Sequence, residues 1–137
     1  MSPVCWTGWT SAKIWLKYAR DLIVKYGIEE DSYFAGSPNE LAWMMKVTPE
    51  IPRWGVQSRG ANMDIREMVV KYDCVGAQFW NMFFEDAHAD FMKEHGYRMS
   101  MFFADNFEDM TKYFDMGIET IITNRMDIAA QYRKLYM

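Results

Sequence analysis

Two spacings of apolar residues alternate along this chain. Some segments carry them at helical intervals, and short runs between are apolar or β-prone at nearly every position. From Ser11 to about Tyr26, Ile14, Leu16, Tyr18, Leu22 and Ile23 give a helix a broad apolar surface, with Ser11 able to cap it and Gly27 to end it. Ser32–Gly36 reads as extended, Ser37-Pro38-Asn39 as a turn, and Glu40–Val47 as a helix stopped at Thr48-Pro49. Ile51–Gln57 is extended, with Pro52 at its start, where a strand tolerates proline. In Met63–Tyr72, Ile65, Met68, Val69 and Tyr72 fall at helical spacing behind Asp64. The cycle repeats with a strand over Cys74–Trp80, a helix over Glu85–His95 ended by Gly96, and a strand over Tyr97–Phe103. A helix over Phe107–Met116 ended by Gly117, a strand over Ile118–Thr123 and a helix over Asp127–Leu135 complete five strand–helix cycles behind a lone helix.

Strands alternating with helices predict an α/β domain with a mainly parallel sheet, residues 1–137 forming one domain. Right-handed crossovers put the helices on one side of a barrel or on both sides of an open sheet, and periodicity does not choose between them. A complete (β/α)8 barrel takes roughly 200 to 250 residues. Five units are too few to close one, so the barrel reading is a partial TIM-type barrel.

Composition narrows the function classes. Half the residues are hydrophobic and 25% charged, which supports a packed core and excludes wholesale disorder. A net charge of −4 argues against a basic surface that grips nucleic-acid phosphates. No apolar run is long enough to span a membrane, and MSPVCWTGWT lacks the features of a signal peptide. The chain reads as soluble, with the cytoplasm favoured. Cys5 and Cys74 can form at most one disulfide, and buried thiols are the favoured reading.

Two stretches are more specific than the periodicity. Gly96-Tyr97-Arg98-Met99-Ser100-Met101-Phe102-Phe103-Ala104-Asp105-Asn106-Phe107-Glu108-Asp109-Met110, continuing to Gly117-Ile118-Glu119-Thr120-Ile121-Ile122-Thr123-Asn124-Arg125, resembles the closing segment of the glycerophosphodiester phosphodiesterases. Leu22-Ile23-Val24-Lys25-Tyr26-Gly27-Ile28-Glu29-Glu30 through Glu50-Ile51-Pro52 is similar to that family's middle portion. The resemblance implies the C-terminal half of a (β/α)8 barrel. An intact member would cleave a glycerophosphodiester with two acid–base histidines and a divalent metal, Ca or Mg, held by carboxylates.

The family's His-Arg-Gly, Glu-x-Asp, His-Asp and Glu-x-Lys motifs are missing, and Ser58-Arg59-Gly60 is the nearest echo of the first. No catalytic residue and no metal ligand is therefore assigned, and the chain alone is expected not to hydrolyse phosphodiesters. Phe103 stands where the family has tryptophan, Asn106 matches its asparagine, and Asn124 and Met126 replace its aspartate and proline. By the resemblance, Phe103, Asn106 and Asn124 are the candidates for the substrate-facing lip, since ligands of α/β barrels sit at the C-terminal strand ends. Asparagine at such places, Asn81 included, is also ordinary turn chemistry.

Elsewhere the bland readings lead. Glu85, Asp86, His88 and Asp90 have one copy of a spacing that carboxylate-bridged metal sites use twice, so a solvated acidic helix start is the better account. Trp6, Trp9 and Trp15 suit an aromatic cover over a sheet edge. No nucleotide-binding glycine motif is present. The partner implied is a missing N-terminal barrel half or a second copy of this chain. Two rivals remain: a non-enzymatic, self-associating half-barrel, and a small open-sheet domain binding a ligand at its strand ends.

Overall fold

The structure, a computed structural model, describes residues 9–58 and 62–137, without the side chains of residues 9–11. Cys5, Trp6, Arg59, Gly60 and the side chains of Trp9 and Ser11 lie outside that description. In chain order the elements are α1 (Trp9–Tyr26), β1 (Phe34–Gly36), α2 (Pro38–Val47), β2 (Arg53–Val56), α3 (Ile65–Lys71), β3 (Gly76–Trp80), α4 (Asp86–His95), β4 (Arg98–Phe102), α5 (Phe107–Asp115), β5 (Thr120–Ile122) and α6 (Met126–Tyr136). This is the order expected from the sequence, five β/α units behind one helix.

The differences are at boundaries and have local causes. α1 starts at Trp9, ahead of Ser11. Ser37-Pro38-Asn39 is the start of α2 and not a turn before it. The Ser37 N–H and hydroxyl both donate to Glu40 Oε2, at 2.7 and 2.8 Å, and Pro38 occupies the first helical position, where its missing N–H costs nothing. Gly27, Gly96 and Gly117 follow α1, α4 and α5 with positive φ. α3 has no glycine after it. Asp73 takes the left-handed conformation there (φ 48°), and Arg53 supplies the cap from a distance. Its guanidinium is buried and donates to the carbonyls of Tyr72 and Asp73, and to those of Pro49 and Ile51, at 3.1 to 3.4 Å. One cation thus holds the entry to β2 against the exit of α3.

All five strands are parallel, in the order β1-β2-β3-β4-β5. With no reversal in that order, every right-handed crossover runs the same way and every helix falls on one face. This decides between the two architectures the periodicity left open. The sheet is singly wound, as in a barrel, and among the described residues β1 and β5 each have a single neighbour, so it is not closed.

Alternation along the strands divides the side chains. Ala77, Phe79, Met99 and Met101 join Leu41, Met68, Val69 and Met92 of the helices in one buried cluster. The other set, including Trp54, Val56, Gln78, Trp80, Ser100, Phe102 and Ile122, belongs to the face turned from the helices. Phe79 has no exposure at all while Ile122, on the edge strand, is 43% exposed. Cys74 is a free, buried thiol, pushed up to about 11 by burial. Among the described residues no helix is long and apolar enough to cross a membrane.

Candidate functional site

The strand order brings the C-terminal ends of β2, β3, β4 and β5 side by side, and with them every lip candidate. In barrels of this kind that end carries the ligand site. Its central feature is aromatic. Trp80 and Phe102, cross-strand partners in the β3–β4 register, stack with centroids 5.8 Å apart and planes 28° apart. Phe83 meets Trp80 edge-on at 5.4 Å, and Phe103 meets Phe102 edge-on at 5.3 Å. Phe103 is therefore the outer member of a four-ring wall that the sequence offered only as separate aromatics.

Polar groups around this wall are mutually engaged. Gln57, just past β2, donates through Nε2 to the Phe83 carbonyl at 3.0 Å and accepts the Trp80 N–H at 3.3 Å. It fixes the loop after β3 against the end of β2. Asp105, just past β4, gathers the end of β5. Its Oδ1 accepts from the Thr123 hydroxyl at 2.8 Å and the Asn124 N–H at 2.7 Å, and its Oδ2 accepts from the Asn124 amide at 3.0 Å. These bonds from Asn124 and Thr123 hold the Asp105 carboxyl below the usual carboxylate range. Asn124 thus sits at the mouth with its amide committed to Asp105.

Asn106 is placed differently. It is the N-cap of α5, where its Oδ1 accepts the Asp109 N–H and its amide donates to Asp109 Oδ2, both at 2.8 Å. Asn81 donates its N–H to the Phe102 carbonyl at 2.8 Å, which continues the ladder past β3. Sequence reasoning did not single out Asp105 or Gln57. The only signal for either was position, one polar residue just past a strand end, and that does not say which neighbouring strand it reaches.

The acidic start of α4 is not simply solvated. His88 is buried, its ring stacked on Phe79 with centroids 5.8 Å apart, and its Nδ1 accepts the Glu85 N–H at 3.0 Å. Burial lowers its pKa, opposed by Asp64 and Glu85. A neutral imidazole keeps the acceptor that caps the helix; protonation removes it and buries a charge. Stability from this residue is present above the unfolded value near 6.5 and is lost as pH falls from there toward the lower folded value. The urea midpoint should therefore drop between pH 7.5 and 5, and His88→Gln, which keeps a capping acceptor without titrating, should flatten that slope. An unchanged slope in the variant would assign the pH dependence elsewhere. His95 lies on the exposed end of the helix, stacked on Phe91 at 4.2 Å.

Among the described residues, no three His, Cys, Asp or Glu side chains come together as a metal-binding group. Asp105, the one carboxylate at the mouth tied to another strand, has both oxygens occupied. Among the described residues the donor set does not fit a divalent metal.

No family model matches the sequence, and no curated protein matches it. Solved structures match the fold. A Silicibacter pomeroyi protein assigned as a glycerophosphoryl diester phosphodiesterase aligns with a TM-score of 0.76 at 10% identity, over 90% of this chain and 44% of its own. An Oleispira antarctica phosphodiesterase in complex with sn-glycerol-3-phosphate gives 0.69 at 17% identity, over 90% and 49%. A Parabacteroides distasonis glycerophosphodiester phosphodiesterase gives 0.72 at 9% identity, over 97% and 56%. The chain spans about half the length of the structures it matches, and its fold is that half of a TIM-type barrel.

Proposed function

We propose that this chain is the C-terminal half of a glycerophosphodiester phosphodiesterase-type barrel, supplying five β/α units and part of the substrate-facing mouth. One observation carries the reading: the open, singly wound sheet follows about half of several phosphodiesterase structures, and the closing motif quoted above falls on β4, β5 and the loops that end them. In this reading Phe103 and its ring neighbours form one wall of the mouth, and the Asp105–Asn124 bridge keeps the β4 and β5 loops in register. Phosphodiester cleavage needs acid–base groups and charge neutralisation that these residues do not provide. A divalent cation would supply the neutralisation when bound, and its ligands would come from the complementary half.

The chain alone, assayed on glycerophosphocholine with Mg or Ca, should show no hydrolysis above the buffer rate. Turnover abolished by a chelator would contradict the division of labour.

The self-associating alternative draws on a separate observation, the unpaired edges of β1 and β5. Bare parallel edges invite pairing.

A further inference from the structure

The mouth is one end of the sheet, and the opposite end holds a cavity of its own. It lies at the N-terminal ends of the strands, lined by the loop that enters β1 and by the starts of β2 and β4. Its volume is about 500 Å³, within the range of roughly 300 to 1,000 Å³ that small-molecule sites occupy.

The aromatic side of this cavity is built by register. Trp54, Gly76 and Arg98 stand in one row across β2, β3 and β4. Gly76 brings no side chain to that row, so the Trp54 indole and the Arg98 guanidinium meet across it, 5.7 Å from ring centroid to Cζ. Tyr33, from the loop entering β1, stacks on the same indole at 5.0 Å with the planes 29° apart. Trp54 is thereby only 4% exposed while Tyr33 stays 49% exposed, which makes the tyrosine the ring open to a ligand.

Charge decides what kind of ligand fits. Glu30 and Asp31 also line the cavity, and neither forms an ion pair among the described residues. Arg98, the cation of the lining, is bonded to Glu119 at 2.9 Å. The unpaired charge at the cavity is therefore negative, which disfavours an anion. Because no three His, Cys, Asp or Glu side chains gather among the described residues, an inorganic divalent ion has no ligand set here. An organic cation needs none, since a ring face and nearby carboxylates suffice to hold it.

We propose that this cavity binds a small organic cation of the alkylammonium class, its charged head against the Tyr33 ring and the Glu30 and Asp31 carboxylates. The site is independent of the mouth, because Phe103 and Asn124 lie at the other end of the strands.

The test titrates choline into the full chain and follows the backbone and indole N–H groups by two-dimensional NMR. Dimethylbutanol, in which carbon replaces the charged nitrogen of choline, is the uncharged control. Saturable shifts should centre on Tyr33, Trp54 and Arg98, and dimethylbutanol should bind about fivefold more weakly. Glu30→Gln combined with Asp31→Asn, on an exposed loop where neither carboxylate is paired, should weaken choline binding about fivefold. Tyr33→Leu should weaken it by a similar factor, and Tyr33→Phe, which keeps the ring, should bind as the wild type does. Shifts that never saturate, equal binding of the two probes, or a response confined to Phe103 and Asn124 would each overturn the proposal. Undiminished choline binding in the charge variant or in Tyr33→Leu would do so as well.

Discussion

Phe79→Ala should cost about 3 to 5 kcal/mol of folding free energy, the largest loss from any single truncation in the core. Phe79 is completely buried on β3, the central strand of the sheet. Its ring meets Phe84 edge-on at 5.0 Å and lies against His88, so it joins the sheet to the capped start of α4. Phe84 in turn meets Tyr113 of α5 edge-on at 6.0 Å. Truncation leaves a cavity beneath two helices that cannot both collapse into it. Since domains of this size hold only about 5 to 15 kcal/mol, the variant should lose a large share of its stability. Phe79→Leu, which keeps most of the volume, should lose about 1 to 1.5 kcal/mol. Urea unfolding followed by circular dichroism measures both, and a loss below about 1 kcal/mol for the alanine variant would mean that the site repacks.

The second large effect is at the opposite end of the strands. Arg53→Met should destabilise the fold by about 3 kcal/mol, roughly a 10 °C fall in melting temperature for a chain of this length. The exposed carboxylate of Asp73 contributes little to this, since its ion pair with Arg53 at 3.3 Å is bathed in solvent on one side. The weight falls on the carbonyls of Pro49, Ile51, Tyr72 and Asp73, which lose a buried charged donor together. Arg53→Lys keeps the charge but cannot span all of those carbonyls, and should recover only part of the loss. Arg53 lies at the start of β2, away from the C-terminal strand ends, so a stable variant should leave the mouth unaltered. Equal melting temperatures for wild type and Arg53→Met would contradict the capping role.

Much of this fold was legible in the residues. Glycines at 27, 96 and 117 marked helix ends, and the alternation of short apolar runs with amphipathic segments gave every element in order. The choice between a barrel-type and a doubly wound sheet was not legible, because it depends on which strands pair, and each strand is too short to encode its neighbour. Arg53 reads as an ordinary strand-edge cation until the fold brings the end of α3 beside it. His88 reads as part of a charged surface because three acidic neighbours surround it in sequence. Only the helix phase, which turns it onto Phe79 while Asp86 and Asp90 stay exposed, shows otherwise. At the mouth, the positions were legible and the bonding was not. Asn106 and Asn124 are the same residue type at equivalent places, yet one caps the helix that follows it and the other bridges two strands. That difference follows from the reach of Asp105, which local sequence does not specify.

The central claim is that this sheet is half of a barrel. Its most direct test is the native mass of the particle containing this chain in its source cells, by immunoprecipitation and intact mass spectrometry. A covalent product or a one-to-one complex near 30 kDa, the size of a barrel of roughly 250 residues, is the predicted result. A lone 16.3 kDa chain that stays monomeric at every concentration would contradict it, because an open sheet with two bare edges would then be the finished molecule.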